Sequence, residues 1–301
     1  MPLRRLILKL WDTCQHQCIY CVNGDGPEAR YKMPEERLLE ILNTLPTRDV
    51  EFTGGETTIF PDLLVRAVEA ARWSPYTERV WTNTNMELLT RDGYHRRLEQ
   101  AGLDVVHFAL YTLDPQQFKE FRGNRNADLG KVLDTIHRVL DDTNMGLVAE
   151  FVPMRPNAGQ LPQVYGFLDD LAQQYPGRIQ EFEIGHLIPS GRALDNIAAL
   201  QMDIAAERKI LLDNSQITQG NIPVSAFCYG CVTRPMLKDA GYLIFPCDAG
   251  TPDGMFYIDQ GGRVYRDNFS GVKICDDFRN LPEVQIGLPA VPQCQYLETQ
   301  S

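Results

Sequence analysis

The sequence predicts an α/β fold built on a parallel sheet, followed by a small irregular C-terminal domain. Two observations predict this. Over the first two thirds of the chain, short apolar runs of strand length alternate with segments of helical periodicity. That order implies parallel strands joined by right-handed helical crossovers. After about residue 195 the alternation stops, and five of the eight cysteines of the 301-residue chain lie beyond that point.

Each element follows from its local pattern. Residues 6–11 form the first apolar run and feed a loop rich in cysteine. Residues 35–45 carry Leu38, Leu39, Ile41 and Leu42 at helical spacing. Residues 50–52 read as a strand ending in Thr53-Gly54-Gly55-Glu56. Helix 63–71 and strand 79–82 follow, then helix 88–101 and strand 105–110. The series continues with helix 129–140, strand 147–152, helix 161–174 and strand 179–186. Six such units are too few to close an eight-unit barrel. Ligands in such sheets sit at the C-terminal ends of strands, which is where the cysteine loop falls. Residues 196–214 have helical character, and 255–259 and 263–267 flank Gln260-Gly261-Gly262, a hairpin signal. We divide the chain into residues 1–210 and 211–301.

Composition bounds the function. The chain carries 29 basic and 40 acidic residues, a net charge of −11. Nucleic acid is not expected as a partner, because phosphate contacts need a basic surface. A cationic substrate is compatible with this balance. No apolar run reaches the length of a membrane span. The start, Met1-Pro2-Leu3-Arg4-Arg5, has no apolar signal segment, so a cytoplasmic location with reduced thiols is expected.

The loop reads Cys14-Gln15-His16-Gln17-Cys18-Ile19-Tyr20-Cys21, a Cys-x3-Cys-x2-Cys spacing. Three thiolates this close can hold three irons of one [4Fe–4S] cluster and leave the fourth iron open. A structural zinc site would want four closed ligands, and no fourth cysteine follows until Cys228. Thiols in a cytosolic chain point to metal or catalysis rather than a disulfide framework.

With an aromatic residue before the third cysteine, this loop resembles that of the radical S-adenosylmethionine (radical SAM) enzymes. The resemblance runs over roughly residues 5–195. It implies an open, partial (β/α)6 barrel, a cluster on Cys14, Cys18 and Cys21, and S-adenosylmethionine bound at the open iron through its amino acid end. In that family one electron cleaves the molecule to methionine and a 5′-deoxyadenosyl radical, which takes a hydrogen atom from substrate. Tyr20, Gly54, Gly55 and Glu56 fall on the family's cofactor motifs, Glu56 at the position that receives the methionyl ammonium. Thr57 stands where relatives often have proline. Asn83 and Asn85 fall where the family places ribose contacts. Ala109 stands where relatives commonly carry serine. The segment Pro189-Ser190-Gly191-Arg192-Ala193 is similar to members that carry an auxiliary-cluster domain.

The C-terminal part resembles the twitch or SPASM type of auxiliary iron–sulfur domain, through Cys247-Asp248-Ala249-Gly250 and the hairpin after it. Asp267 stands where that pattern has a cysteine. Beyond the loop, the cysteines are Cys228, Cys231, Cys247, Cys275 and Cys294. A second [4Fe–4S] cluster takes four of them and leaves one. Either Cys247 ligates, with another cysteine free or Asp267 assisting, or Cys228, Cys231, Cys275 and Cys294 ligate and Cys247 is free. We prefer the second assignment, which uses a natural Cys-x2-Cys pair.

A free thiol beside a carbon radical can return a hydrogen atom. The resemblance therefore extends to radical SAM epimerases that invert a sugar carbon of an aminoglycoside, in the manner of neomycin C to neomycin B. It implies Cys247 as the hydrogen donor, two [4Fe–4S] clusters, S-adenosylmethionine as cosubstrate, a small cationic aminoglycoside as substrate, and an external one-electron reductase or flavodoxin. Candidate substrate-facing acids are Asp25, Glu28, Asp248, Asp253 and Asp267. The alternatives are a dehydrogenase of an aminocyclitol, a peptide-modifying maturase, and, from another class, a metal-binding protein without catalysis.

Overall fold

The computed structural model describes residues 2–226, 234–244, 249–267, 272–285 and 288. Strands β1 (Leu3–Lys9), β2 (Thr47–Thr53), β3 (Arg79–Thr84), β4 (Val105–Ala109), β5 (Gly146–Phe151) and β6 (Ile179–Ile184) lie side by side in chain order, all parallel. The crossovers are α1 (Glu35–Thr44), α2 (Pro61–Trp73), α3 (Tyr94–Ala101), α4 (Pro115–Arg122) with α5 (Leu129–Asp142), and α6 (Leu161–Gln174). After β6 come α7 (Gly191–Asp195), α8 (Ile197–Leu200) and α9 (Ile204–Asp213). The expected parallel α/β architecture is what forms, and it is open.

The sheet runs on past the six expected strands at both edges. Strand β7 (Val224–Ala226) pairs with β6, and β8 (Met255–Ile258) pairs in parallel with β1. The expected hairpin is present as β8 and β9 (Val264–Tyr265), antiparallel, with β10 (Lys273–Cys275) beyond. The order is therefore β10-β9-β8-β1-β2-β3-β4-β5-β6-β7. Residues after 210 thus supply strands to both edges of one sheet.

Two helical expectations are corrected, and one further helix was not expected. The segment predicted as helix 88–101 turns first, with Met86 at φ 74°, Asp92 at φ 50° and Gly93 at φ 74°, and the helix starts only at Tyr94. Left-handed residues cannot continue a right-handed helix. Helix α4 was not expected, although its signals are in the sequence. Asp114 caps it by accepting from the Gln117 N–H at 2.7 Å, Pro115 takes the first position, and Gly123 at φ 55° ends it. Residues 196–214 form two short helices, α8 and α9, in place of one.

Strand alternation gives the sheet two unlike faces. Leu6, Leu8, Val50, Phe52, Val80, Val106, Phe108, Leu147, Ala149 and Phe182 are buried in the main core with Ile41, Leu64, Val68, Leu98, Ile136, Val164 and Leu168 from the helices. The opposite, inner face carries Arg5, Glu51, Trp81, Asn83, His107, Glu150 and Glu183. Trp81, Val105 and Val148 form a separate apolar cluster at its base. Arg5 and Arg79 stack on the Trp81 ring at the base, while Asn83, Glu150 and Glu183 lie toward the C-terminal ends of their strands.

Candidate active site at the strand ends

The chain from Leu10 to Pro34 leaves β1 without entering a helix and carries Cys14, Cys18 and Cys21. Backbone contacts from distant segments hold it. The Cys14 N–H donates to the Gly26 carbonyl (3.2 Å), Gln17 to that of Arg122 (3.0 Å) and Ile19 to that of Phe121 (3.0 Å). The segment opening with Gly191 grips the other side. Arg192 donates to the carbonyls of Cys18 (3.1 Å), Gly24 (2.8 Å) and Asp25, and Asn196 Nδ2 to that of Ile19 (3.2 Å). A Cβ on Gly191 would lie 2.6 Å from the Val22 carbonyl oxygen. In this chain the Pro-x-Gly-Arg-Ala ending of the sixth unit therefore secures the cysteine loop.

The Gly54-Gly55-Glu56 turn is fixed to the same loop. Gly55 N–H donates to the Trp11 carbonyl (2.7 Å), Glu56 N–H to that of Thr13 (2.9 Å), and Trp11 Nε1 to that of Glu56 (2.7 Å). A Cβ at Gly54 would sit 2.5 Å from the Trp11 oxygen, and at Gly55 2.3 Å from the Thr13 oxygen. Here the glycines let the cysteine loop come close. The Glu56 carboxylate is 1% exposed. Its Oε1 accepts from Thr58 N–H (2.9 Å), Thr58 Oγ1 (2.5 Å) and Thr84 Oγ1 (2.6 Å), and its Oε2 from Asn85 N–H (2.7 Å). Oε2 keeps capacity for a further donor.

Cys14 and Cys18 are buried and Cys21 is half-buried. Burial pushes the Cys14 thiol up, with Glu56 and Cys18 adding to it, and raises Cys21 in the same way. Such thiols stay protonated until a metal supplies compensating charge. Positive charge stands beside them. Arg122 is 5% exposed, and its guanidinium lies 3.9 Å from Cys18 Sγ. Burial alone would lower Arg122, but Tyr20 and Cys18 raise it. Tyr20 seats the loop on an apolar shelf, its ring 4.6 Å from Tyr111 and 6.0 Å from Phe121. His16, between the first two cysteines, has Nε2 3.2 Å from Glu87 and accepts from Asn124 at Nδ1 (3.1 Å).

The two asparagines after β3 part company. Asn85 Oδ1 accepts from Gln15 Nε2 (3.1 Å), which puts it against the cysteine loop, and its buried Nδ2 has no partner. Asn83 faces inward, donating to Glu51 (2.9 Å) and accepting from His107 (3.1 Å). His107 Nε2 lies 3.4 Å from Glu183, whose strand neighbour at the same level is Glu150. Tyr111 donates to Glu150 at 2.6 Å. Burial pushes Glu183 up to about 7. For His107, burial acts downward, and Glu183, Glu150 and Glu51 together raise it.

Of the auxiliary set, only Cys275 lies among the described residues. It is half-buried at the end of β10, and its thiol donates to the Asp277 carbonyl at 3.3 Å. Cys228, Cys231, Cys247 and Cys294 lie outside the described residues, as does Asp248. Asp267 pairs with Arg266 (3.0 Å), and Glu28 and Asp253 are exposed.

Among the described residues no three His, Cys, Asp or Glu side chains converge on a single ion. A cubane instead takes one thiolate on each of three irons, and the loop offers three buried or half-buried thiols with a buried arginine at their side. The unpartnered Asn85 Nδ2 and the open side of Glu56 suit the polar amino acid or ribose groups of S-adenosylmethionine. Arg122, Arg192 and His16 are site residues that the sequence reading did not assign. The turn Phe121-Arg122-Gly123 and the position of His16 inside the cysteine spacing were their signals.

Residues 8–143 match the family described as the Radical SAM superfamily. A GTP 3′,8-cyclase of Chlorobaculum tepidum is 32% identical over 128 residues, 41% of this chain and 38% of its own length. A probable GTP 3′,8-cyclase of Methanocaldococcus jannaschii is 25% identical over 269 residues, 81% of this chain and 85% of its own. The chain thus spans well under half of the former relative and most of the latter. Among solved structures, anSMEcpe with bound AdoMet and the Kp18Cys peptide aligns with a TM-score of 0.66 at 15% identity, over 96% of this chain and 82% of that one. The hydrogenase maturase HydG of Carboxydothermus hydrogenoformans aligns at 0.59 and 14% identity, over 86% and 60%. At these identities the structures speak for the fold alone.

Two outcomes follow from this geometry. Replacing Cys14, Cys18 or Cys21 with Ala should abolish reductive cleavage of S-adenosylmethionine, measured as 5′-deoxyadenosine by chromatography. Gly55→Ala should destabilise the protein by roughly 1–3 kcal/mol, as overpacking does. It should also lower iron uptake during anaerobic reconstitution, read from iron analysis and the thermal midpoint.

Proposed function

We propose, from the premise that residues 8–143 belong to the radical SAM superfamily, that this chain is an epimerase inverting a sugar ring carbon of an aminoglycoside, of the neomycin C to neomycin B type. The observation that carries the reading is the cysteine count. Eight cysteines less three in the loop leave five, one more than a second [4Fe–4S] cluster takes. Cys228, Cys231, Cys275 and Cys294 are proposed as ligands of that cluster, and Cys247 as the free thiol.

Cys14, Cys18 and Cys21 would hold a cluster whose chemistry would be one-electron reduction of S-adenosylmethionine, and the 5′-deoxyadenosyl radical so released would take hydrogen from one face of the sugar carbon. Glu56 and Asn85 are proposed to hold the polar ends of the cosubstrate, and Arg122, 3.9 Å from Cys18 Sγ, to take its carboxylate. Cys247 gives a hydrogen atom to the opposite face. Its S–H bond breaks as the new C–H bond forms, because S–H is weaker than most C–H bonds. One electron from an external reductase or flavodoxin and one proton restore the thiol. The proposed substrate is polycationic. The inward Glu51, Glu150 and Glu183, with Asp12 and Asp25 at the end of β1, offer it carboxylates.

A second reading, cyclisation of GTP, is favoured by the names of the relatives. It asks for a basic subsite for a triphosphate. The acids just named support the cationic substrate instead. Incubating the reconstituted protein with S-adenosylmethionine, a reductant and either neomycin C or GTP separates the two by product mass and retention.

In D2O the inverted carbon should carry one deuterium, seen by mass spectrometry. A dehydrogenase would give a ketone without it. Cys247→Ala should keep about eight irons per chain, the content of two cubanes, and still form 5′-deoxyadenosine while epimer formation stops. A fall to about four irons would make Cys247 a ligand.

A further inference from the structure

The cysteine loop meets the C-terminal hairpin over a group of polar side chains that the steps above leave without a defined role. Lys9, the last residue of β1, donates to Asp25 Oδ1 at 2.7 Å, and both are buried. Asp25 is 5% exposed, and among the described residues its second oxygen, Oδ2, has no hydrogen-bond partner. Asp12 accepts from Gln260 Nε2 at 2.8 Å, and the buried Oε1 of Gln260 is likewise without a partner. Tyr257 on β8 is buried among Asp25, Asp259 and Asp12, whose charges add to the effect of burial in raising its hydroxyl. Asp259 is already satisfied by Arg263 (2.7 Å) and the N–H groups of Gly261 (2.9 Å) and Arg263 (3.0 Å). With that pair set aside, Lys9 acts on both Asp12 and Asp25, and Arg192, which donates to the Asp25 carbonyl rather than to its carboxylate, acts on Asp25 as well.

A buried carboxylate oxygen without a donor is costly, and one beside a second carboxylate more so. Asp12 and Gln260 are half-exposed, so the group has an open rim above a buried floor of Lys9, Asp25 and Tyr257. The vacant acceptors are an anionic oxygen and an amide oxygen. That donor demand is met by a primary ammonium, which brings three N–H donors and one positive charge.

We propose that Asp25, Asp12 and Gln260 form a subsite for one ammonium group of an amine substrate, with Lys9 holding Asp25 in place. This deepens the proposed function and rests on it for the identity of the amine. The subsite lies where the cysteine loop and the β8–β9 hairpin touch, so an amine bound there bridges the two halves of the chain.

The test is equilibrium binding of neomycin C to the anaerobically reconstituted protein by calorimetry, beside fully N-acetylated neomycin. Asp25→Asn removes the charge at nearly constant shape and should weaken binding by at least about tenfold, the scale of a lost charged hydrogen bond. Gln260→Leu leaves the Lys9–Asp25 pair untouched and should weaken it by about threefold, the smaller effect of a neutral partner. Asp134→Asn, an exposed acid on α5, should leave it unchanged, and the acetylated ligand should not bind. Equal binding by wild type, Asp25→Asn and Gln260→Leu overturns the subsite, as does a wild type that binds no amine. Epimer formation by the same wild-type preparation is scored separately. Conversion with variant-insensitive binding sinks only the subsite. Amine binding that Asp25→Asn weakens, without conversion, upholds the subsite and sinks the epimerase reading.

Discussion

The site depends on the close approach of two backbones, the Gly54-Gly55-Glu56 turn and the cysteine loop. Three hydrogen bonds join them, and neither glycine position has room for a Cβ. Once the turn is set, Glu56 falls inside a ring of donors from Thr58, Thr84 and Asn85, which ties the ends of β2 and β3 together. The cysteine loop then has β2 beneath it, α4 on one side and the 190–196 segment on the other. Each support is local and weak, but together they fix a segment that has no helix or strand of its own. A loop positioned in this way by a rigid scaffold is where binding and chemistry concentrate.

The second determinant is the unlike character of the sheet's two faces. The outer face is apolar because helices cover it, which accounts for most of the burial. The inner face trades burial for charge. Arg5, Glu51, His107, Glu150 and Glu183 share this face, partly paired with one another, and Arg5 also stacks on Trp81. Buried charges persist only where partners or ligands compensate them. That argues for an interior shaped for polar contents, with the apolar base closing the lower end.

Much of this was legible in the sequence. The alternation of apolar runs placed β1 to β6 and most crossovers, because a parallel sheet covered by helices leaves a strong periodic signal. The cysteine spacing and the Gly-Gly-Glu turn marked two segments that the structure brings into contact at the strand ends. Helix α4 was missed because its signal is punctuation, Asp114-Pro115 and Gly123, rather than periodicity. The expected helix 88–101 starts late because Asp92 and Gly93 adopt left-handed conformations, which no apolar periodicity encodes. The partners of Arg122, Arg192 and Asp25 are separated from them by as many as 174 residues, as between Arg192 and Cys18, and no local pattern encodes such pairings. Asn83 and Asn85 show the same limit. They are two residues apart and polar alike, yet one serves the inner face and the other the cysteine loop.

The pairing of β1 with β8 has a consequence for how the molecule is made. Arg5 lies opposite Met255, so β1 waits for a strand synthesised some 250 residues later. Contacts of such separation form late and slowly, since a long stretch of chain must be ordered before they are rewarded. The cysteine loop hangs from the end of that same β1, and its grip by Arg192 and Asn196 also arrives only after β6. The nascent chain therefore displays all three loop thiols well before it owns the contacts that hold them in register. Correct loading with iron is thus a matter of timing as well as of ligand identity.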